Sequence, residues 1–173
     1  MPKQVIVLFA TLACLLSACA LGDVVDTTPL PPITLAPPPA LNLVGSCDDT
    51  KTLETWLQVT SELRTNFQTQ MNAAAAKPKI EMFSDVLNLA AMRDSSFSVE
   101  TPDCASEAGM KLSDAMTQAV TGLQTYVNGD VADLGNIVVD INVLLDEVET
   151  EQAQLIEQLN AQFQQHLQPT ATP

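Results

Sequence analysis

The sequence predicts an all-α protein: an up-down-up-down four-helix bundle with a long C-terminal helix, preceded by a Pro-rich tether. Three observations predict it. Apolar residues make up 46% of the 173 residues but aromatic ones only 4%, and the apolar set is mainly Ala, Leu, Val and Ile. That mixture suits closely packed helices better than a sandwich or barrel, which lean on β-branched and aromatic side chains. Beyond residue 47 the apolar positions recur at helical spacing, broken at Lys77-Pro78, over 94–102 and at Asn128-Gly129. No Gly or Pro interrupts the last pattern between Gly135 and Pro169.

A leader precedes the helices. Lys3 supplies a positive start, and Val5 to Leu16 form an apolar run of 12 residues broken only by Thr11. Such a run is too short for a hydrocarbon core of ~30 Å, which takes roughly 20 residues of helix, and it fits a signal-peptide core. It ends in Leu16-Ser17-Ala18-Cys19, which resembles the lipobox of bacterial lipoproteins: Leu at −3, small residues at −2 and −1, then the cysteine. The resemblance covers only the first 22 residues. It implies removal of residues 1–18 as signal peptide and diacylglycerol on the Cys19 sulfur. In many bacteria a further acyl chain, such as palmitate, is added to the new amino terminus. Two or three acyl chains, at ~0.8 kcal/mol per buried CH₂, suffice for stable anchoring. Ala20 stands where enterobacteria-like systems place the Asp linked to inner-membrane retention, so the resemblance points to an outer membrane or cell surface. Cys14, with Thr11 at −3, fits the pattern less well. An uncleaved anchor with buried thiols is the competing reading.

Charge narrows the partners. Seven Lys and Arg face 21 Asp and Glu, a net of −14; without Lys3 the balance is 6 − 21 = −15. Nucleic acid needs clustered Lys and Arg, and anionic headgroups repel such a chain, so neither is an expected partner through charge. Membrane residence is expected through the lipid anchor alone.

Residues 19–46 are expected as a disordered tether: Pro29, Pro31, Pro32, Pro37, Pro38 and Pro39 fall within 11 residues, and proline favours extended polyproline II. The helical domain then spans 47–167, and 168–173 form a disordered tail. The first helix, 47–76, carries Leu53, Trp56, Leu57, Leu63, Phe67, Met71 and Ala74 on one face. The second starts near Pro78 and ends around Arg93, with Phe83, Val86, Leu87 and Ala90 inward. A polar connection over 94–102 leads to Thr101, read as the cap of a third helix running to Val127. Ala108, Leu112, Ala115, Met116, Ala119, Leu123 and Tyr126 point inward there. Asp130 is read as the cap of the fourth.

Ser46 and Asp49 resemble a capping box that places Cys47 in the first turn of the first helix, and Thr101 places Cys104 in the first turn of the third. In this topology both helices begin at one end of the bundle. Two thiols exported to an oxidising compartment should therefore pair, Cys47 with Cys104. The absence of a Cys-x-x-Cys marks the bond as a staple rather than a redox site.

The fourth helix carries a heptad seam: Leu134, Val138, Ile141, Leu145, Val148, Gln152, Leu155 and Leu159. It is longer than the third helix, so its C-terminal half should overhang. That half packs either on the 94–102 connection or, as a coiled coil, on a protein partner or a second copy. His166 is the sole histidine, which leaves no zinc site and no Ser-His-Asp triad in prospect. Asp146, Glu147, Glu149 and Glu151 read as a solvated face. No catalytic residue, metal site or cofactor is expected, and the function expected is a non-enzymatic protein-interaction or structural role at the cell envelope. The alternative is a small-ligand binding or sensing bundle with a cavity between helices.

Overall fold

The computed structural model describes residues 31–45 and 50–167, with side chains through Gln164. The expected leader, Cys19, Cys47 and the 168–173 tail lie outside the described residues. The chain divides into two compact units at Pro31–Pro32, and all four described helices belong to the second. They are α1 (Thr50–Ala75), α2 (Phe83–Ser98), α3 (Ser106–Asn128) and α4 (Gly135–Leu167), with 3-10 turns at Lys79–Glu81 and Asp103–Ala105. Among the described residues there is no strand, only an isolated parallel bridge between Leu43 and Thr101. The protein is an all-α helical bundle.

Each helix packs on its neighbours in sequence, and α4 closes back on α1. Paired residues fix the directions. Arg64 meets Glu149 while Gln68 and Asn72 both meet Asn142, so α4 runs antiparallel to α1. Lys111 pairs with Glu151 while Gly122 faces Ile137, so α4 is antiparallel to α3 as well. At Gly122 an added methyl would lie 2.5 Å from Ile137 Cγ2, so only glycine lets these two helices approach this closely.

The core has two apolar clusters. The larger gathers Phe67, Met71, Met82, Val86, Leu89, Leu112, Met116, Leu123, Ile141, Leu145 and Val148 from all four helices. The smaller joins Leu53, Trp56 and Leu57 of α1 to Ala105, Ala108, Leu155 and Leu159. Between them lies a polar layer. Thr60 Oγ1 donates to the Trp56 carbonyl at 2.7 Å and accepts from Gln152 Nε2 at 2.9 Å. Gln152 Oε1 accepts in turn from Arg64 Nε at 3.2 Å, and Arg64 pairs with Glu149 at 3.0 Å. Arg64 is 6% exposed and Gln152 2%. Uncompensated, such groups would cost several kcal/mol, on the order of 1–3 for each orphaned partner. Among the described residues, no buried side-chain polar atom lacks a partner.

The heptad seam of the fourth helix is buried at every position but Val138, which is half-buried. Leu155 and Leu159 pack within the chain, with Val99 of the α2–α3 connection partly buried against the same cluster. The expected overhang is therefore seated on its own bundle as far as Leu159, while Ile156 and Phe163 remain exposed.

Several boundaries move, each for a local reason. Pro78 precedes a 3-10 turn rather than opening α2, which begins at Phe83. α2 continues five residues past Arg93 because Ser95, Ser96 and Ser98 donate their hydroxyls to carbonyls three residues back and satisfy the last turn. Its phase is shifted too: Leu89 and Arg93 are buried, and Leu87 is exposed. α4 starts at Gly135, not at Asp130, and the Asp133 carboxylate accepts the Gly135 amide at 2.9 Å. α3 ends at Gly129, whose φ of 93° is the left-handed conformation that favours glycine.

Candidate interaction groove

Residues 32–45 fall within the segment expected to be a free spacer, but they lie on the bundle. Polyproline-like backbone makes no hydrogen bonds of its own, so an ordered segment of this kind must borrow partners. Here α2 and α3 lend them. The Asn128 side-chain amide pairs with both backbone polar groups of Ile33: Oδ1 accepts from Ile33 N at 2.8 Å and Nδ2 donates to Ile33 O at 3.0 Å. Gln124, one turn earlier on the same face of α3, donates to that oxygen at 2.9 Å. Arg93 Nη2 donates to the Ala36 carbonyl at 3.2 Å. The Ile33 side chain, 4% exposed, enters the larger core cluster, with Leu35 packed beside it.

The other end of this strap is held by backbone. Asn42 N donates to Phe97 O at 3.1 Å, Val44 N to Thr101 O at 2.9 Å, and Thr101 N to Asn42 O at 2.8 Å. Asp103 N completes the set on Gly45 O at 3.3 Å. Leu41 reaches Gly109, where a Cβ would sit 3.4 Å from Leu41 Cδ2 and 3.0 Å from Thr101 Cγ2. The spans agree. Eight residues of extended chain from Ile33 to Leu41 cover roughly 25 Å at ~3.1 Å each. The 17 residues of α3 from Gly109 to Tyr126 cover roughly 26 Å at ~1.5 Å each. The strap thus follows the groove between α2 and α3 along most of α3.

This arrangement replaces the expected role of Thr101. It caps no helix; the 3-10 turn at 103–105 and α3 both start without a side-chain cap. Thr101 is fully buried, its hydroxyl accepting from Trp56 Nε1 at 3.1 Å and donating to the Val99 carbonyl at 3.1 Å. It joins the strap, the α2–α3 connection and the smaller core cluster. Cys104 lies in the 3-10 turn ahead of α3, not in the helix itself.

The acidic residues of α4 are partly occupied. Glu149 and Glu151 neutralise Arg64 and Lys111, and Asp146 accepts from Gln68 at 3.3 Å. Lys111 also lies 3.4 Å from Glu107, and its ammonium is held above the ordinary lysine value, first by the hydrogen bond to Glu151. Among the described residues no three His, Cys, Asp or Glu are grouped to hold a metal ion. His166 belongs to α4, but its side chain lies outside the described residues. No described helix is long and apolar enough to cross a membrane. A shallow cleft of about 320 Å³ opens beside Trp56, lined by Lys51, Thr52, Thr55, Val99 and Glu100.

The composition of the strap argues for a spacer and hides its docking. One signal was present: Ile33 is β-branched and apolar amid prolines, and Gln124 and Asn128 are amides spaced i, i+4 on α3. Compared with family models, curated proteins and solved structures, the chain matches none.

Proposed function

We infer that the protein is an exported lipoprotein, anchored through lipid on Cys19, that presents a helical module for a non-enzymatic protein-interaction or structural role at the extracytoplasmic face of the envelope. The observation that carries the anchor is Leu16-Ser17-Ala18-Cys19 at the end of a 12-residue apolar run. The folded part supports the interaction role through the strap, which shows the bundle holding an extended segment by Asn128, Gln124 and Arg93.

Export also accounts for a Cys47–Cys104 staple. Cys47 is two residues from Gly45, whose carbonyl accepts from the amide of Asp103, the residue before Cys104. Closing a loop of more than fifty residues, such a bond contributes ~4 kcal/mol by the chain-entropy account.

The test is metabolic labelling with a palmitate analogue, followed by intact-mass measurement of the purified chain. Labelling lost on Cys19→Ala, together with a mass lacking residues 1–18, supports the reading. An unlabelled chain retaining Met1 removes it. Crosslinking in the native envelope then asks for the protein partner, and thermal-shift screening against metabolites addresses the small-ligand alternative.

A further inference from the structure

We propose that the groove between α2 and α3 is a binding site for an extended, proline-flanked peptide with a β-branched apolar anchor, held at rest by the chain's own residues 32–41. This names the partner chemistry for the interaction role above and rests on that role, but not on the lipid anchor.

The recognition is of a kind that does not need covalent attachment. Asn128 and Gln124 read the backbone N–H and C=O of one residue, and Arg93 reads the C=O of another three residues on. Pairing with the N–H and C=O of one residue reads main chain rather than side chain. Selectivity comes from Ile33, which fills a place in the core between the two helices. Arg93 is almost fully buried and keeps Asp94 at 2.7 Å, so its charge stays paired whether or not the strap is in place. The two ends of the strap differ as a latch and a hinge differ. Residues 42–45 make four backbone hydrogen bonds to residues 97–103. The 33–36 end is held by Ile33, with Leu35 partly buried beside it, and by donors and an acceptor on the helices. Release at that end leaves a preformed apolar slot with its hydrogen-bonding groups in register.

Ile33→Asp in the full chain unseats the latch, because a carboxylate cannot enter the core unpaired. The probe is a fluorescent synthetic peptide of residues 32–41, read by anisotropy, with circular dichroism and mass in solution measured alongside. The Ile33→Asp chain should bind the peptide at least ten-fold more tightly than the parent chain, whose own strap competes. A peptide carrying the same Ile33→Asp change should bind neither, and adding Asn128→Ala to the opened chain should weaken binding about ten-fold. Should Ile33→Asp lower helicity, restoration by the peptide supports the proposal, and failure to restore it shows the strap to be an inseparable part of the core and overturns it. Equal weak binding by both chains, or strap exchange that yields dimers, also overturns it. A failed peptide test leaves the envelope crosslinking result standing, so the two readings fail separately.

Discussion

The strap at the start of the domain and the stretch of α4 that carries Leu155 and Leu159 both lie against the bundle, and they hold on by opposite means. α4 satisfies its own backbone, so it contributes only side chains: Leu155 and Leu159 complete the smaller core cluster over Trp56 and Ala105. The strap brings one deep side chain, Ile33, and borrows its hydrogen bonds from Asn128, Gln124 and Arg93 at one end and from the backbone of residues 97–103 at the other. An element held by apolar area comes away only when the core opens. One held by borrowed hydrogen bonds and a single anchor can leave while the helices stay folded.

The comparison breaks first at α4. Leu155→Ala should cost about 2–4 kcal/mol, the range for truncating a core leucine, and urea denaturation of the whole chain should report it. If the loss is confined to fraying of the final turns, with the global midpoint unchanged, then α4 also ends in a detachable segment and the contrast disappears.

The next effect lies in the polar layer between the clusters. Gln152→Leu removes the bonds from Arg64 Nε and to Thr60 Oγ1, leaving Arg64 only Glu149 and Thr60 only the Trp56 carbonyl, and should cost about 1–3 kcal/mol. Replacing the layer together, as Thr60→Val, Arg64→Met and Gln152→Leu, should return stability to within about 1 kcal/mol of the parent, because no orphaned group remains. A triple variant as unstable as the single one would mean that the layer stabilises the bundle outright.

Asn128→Ala comes third, at about 1–2 kcal/mol, because both of its hydrogen bonds to the Ile33 backbone disappear together. It should speed amide exchange at Ile33 without changing exchange in α4. The smallest effect is at Lys111, which is exposed. Its pairing with Glu151 and Glu107 raises the ammonium above the unfolded value of 10.5. The contribution is therefore complete below that value and fades as pH rises through the raised one. Lys111→Met should lower the melting temperature slightly at pH 7, and the difference should vanish in strong alkali.

How much of this was legible from sequence depended on whether a residue's role follows from periodicity. The seam from Leu134 to Leu159 could be read because each position repeats the last, and Gln152 was placed on it even though it is polar. The α3 face, from Ala108 to Leu123, was legible for the same reason. Arg64 and Arg93 were not, since charge argues for solvent. Only their phase, with Trp56, Thr60 and Phe67 in one case and Val86, Leu89 and Ala90 in the other, places them inside. The polar residues from Asp94 on read as a connection, while Ser95, Ser96 and Ser98 bond back to the preceding turn and carry α2 through them. The groove escaped because it joins residues about 90 apart, Ile33 to Gln124 and Asn128, and no local pattern carries that pairing.

Amide hydrogen exchange at Ile33, measured by NMR on the purified chain, tests the docked strap most directly. That amide donates to Asn128 across the groove, so exchange should be slowed at least a hundred-fold relative to an unstructured peptide of the same sequence, with Thr101 slower still. Exchange of Ile33 at the unstructured rate, beside a protected Thr101, would mean that residues 33–36 lie free of the bundle and that the groove stands open.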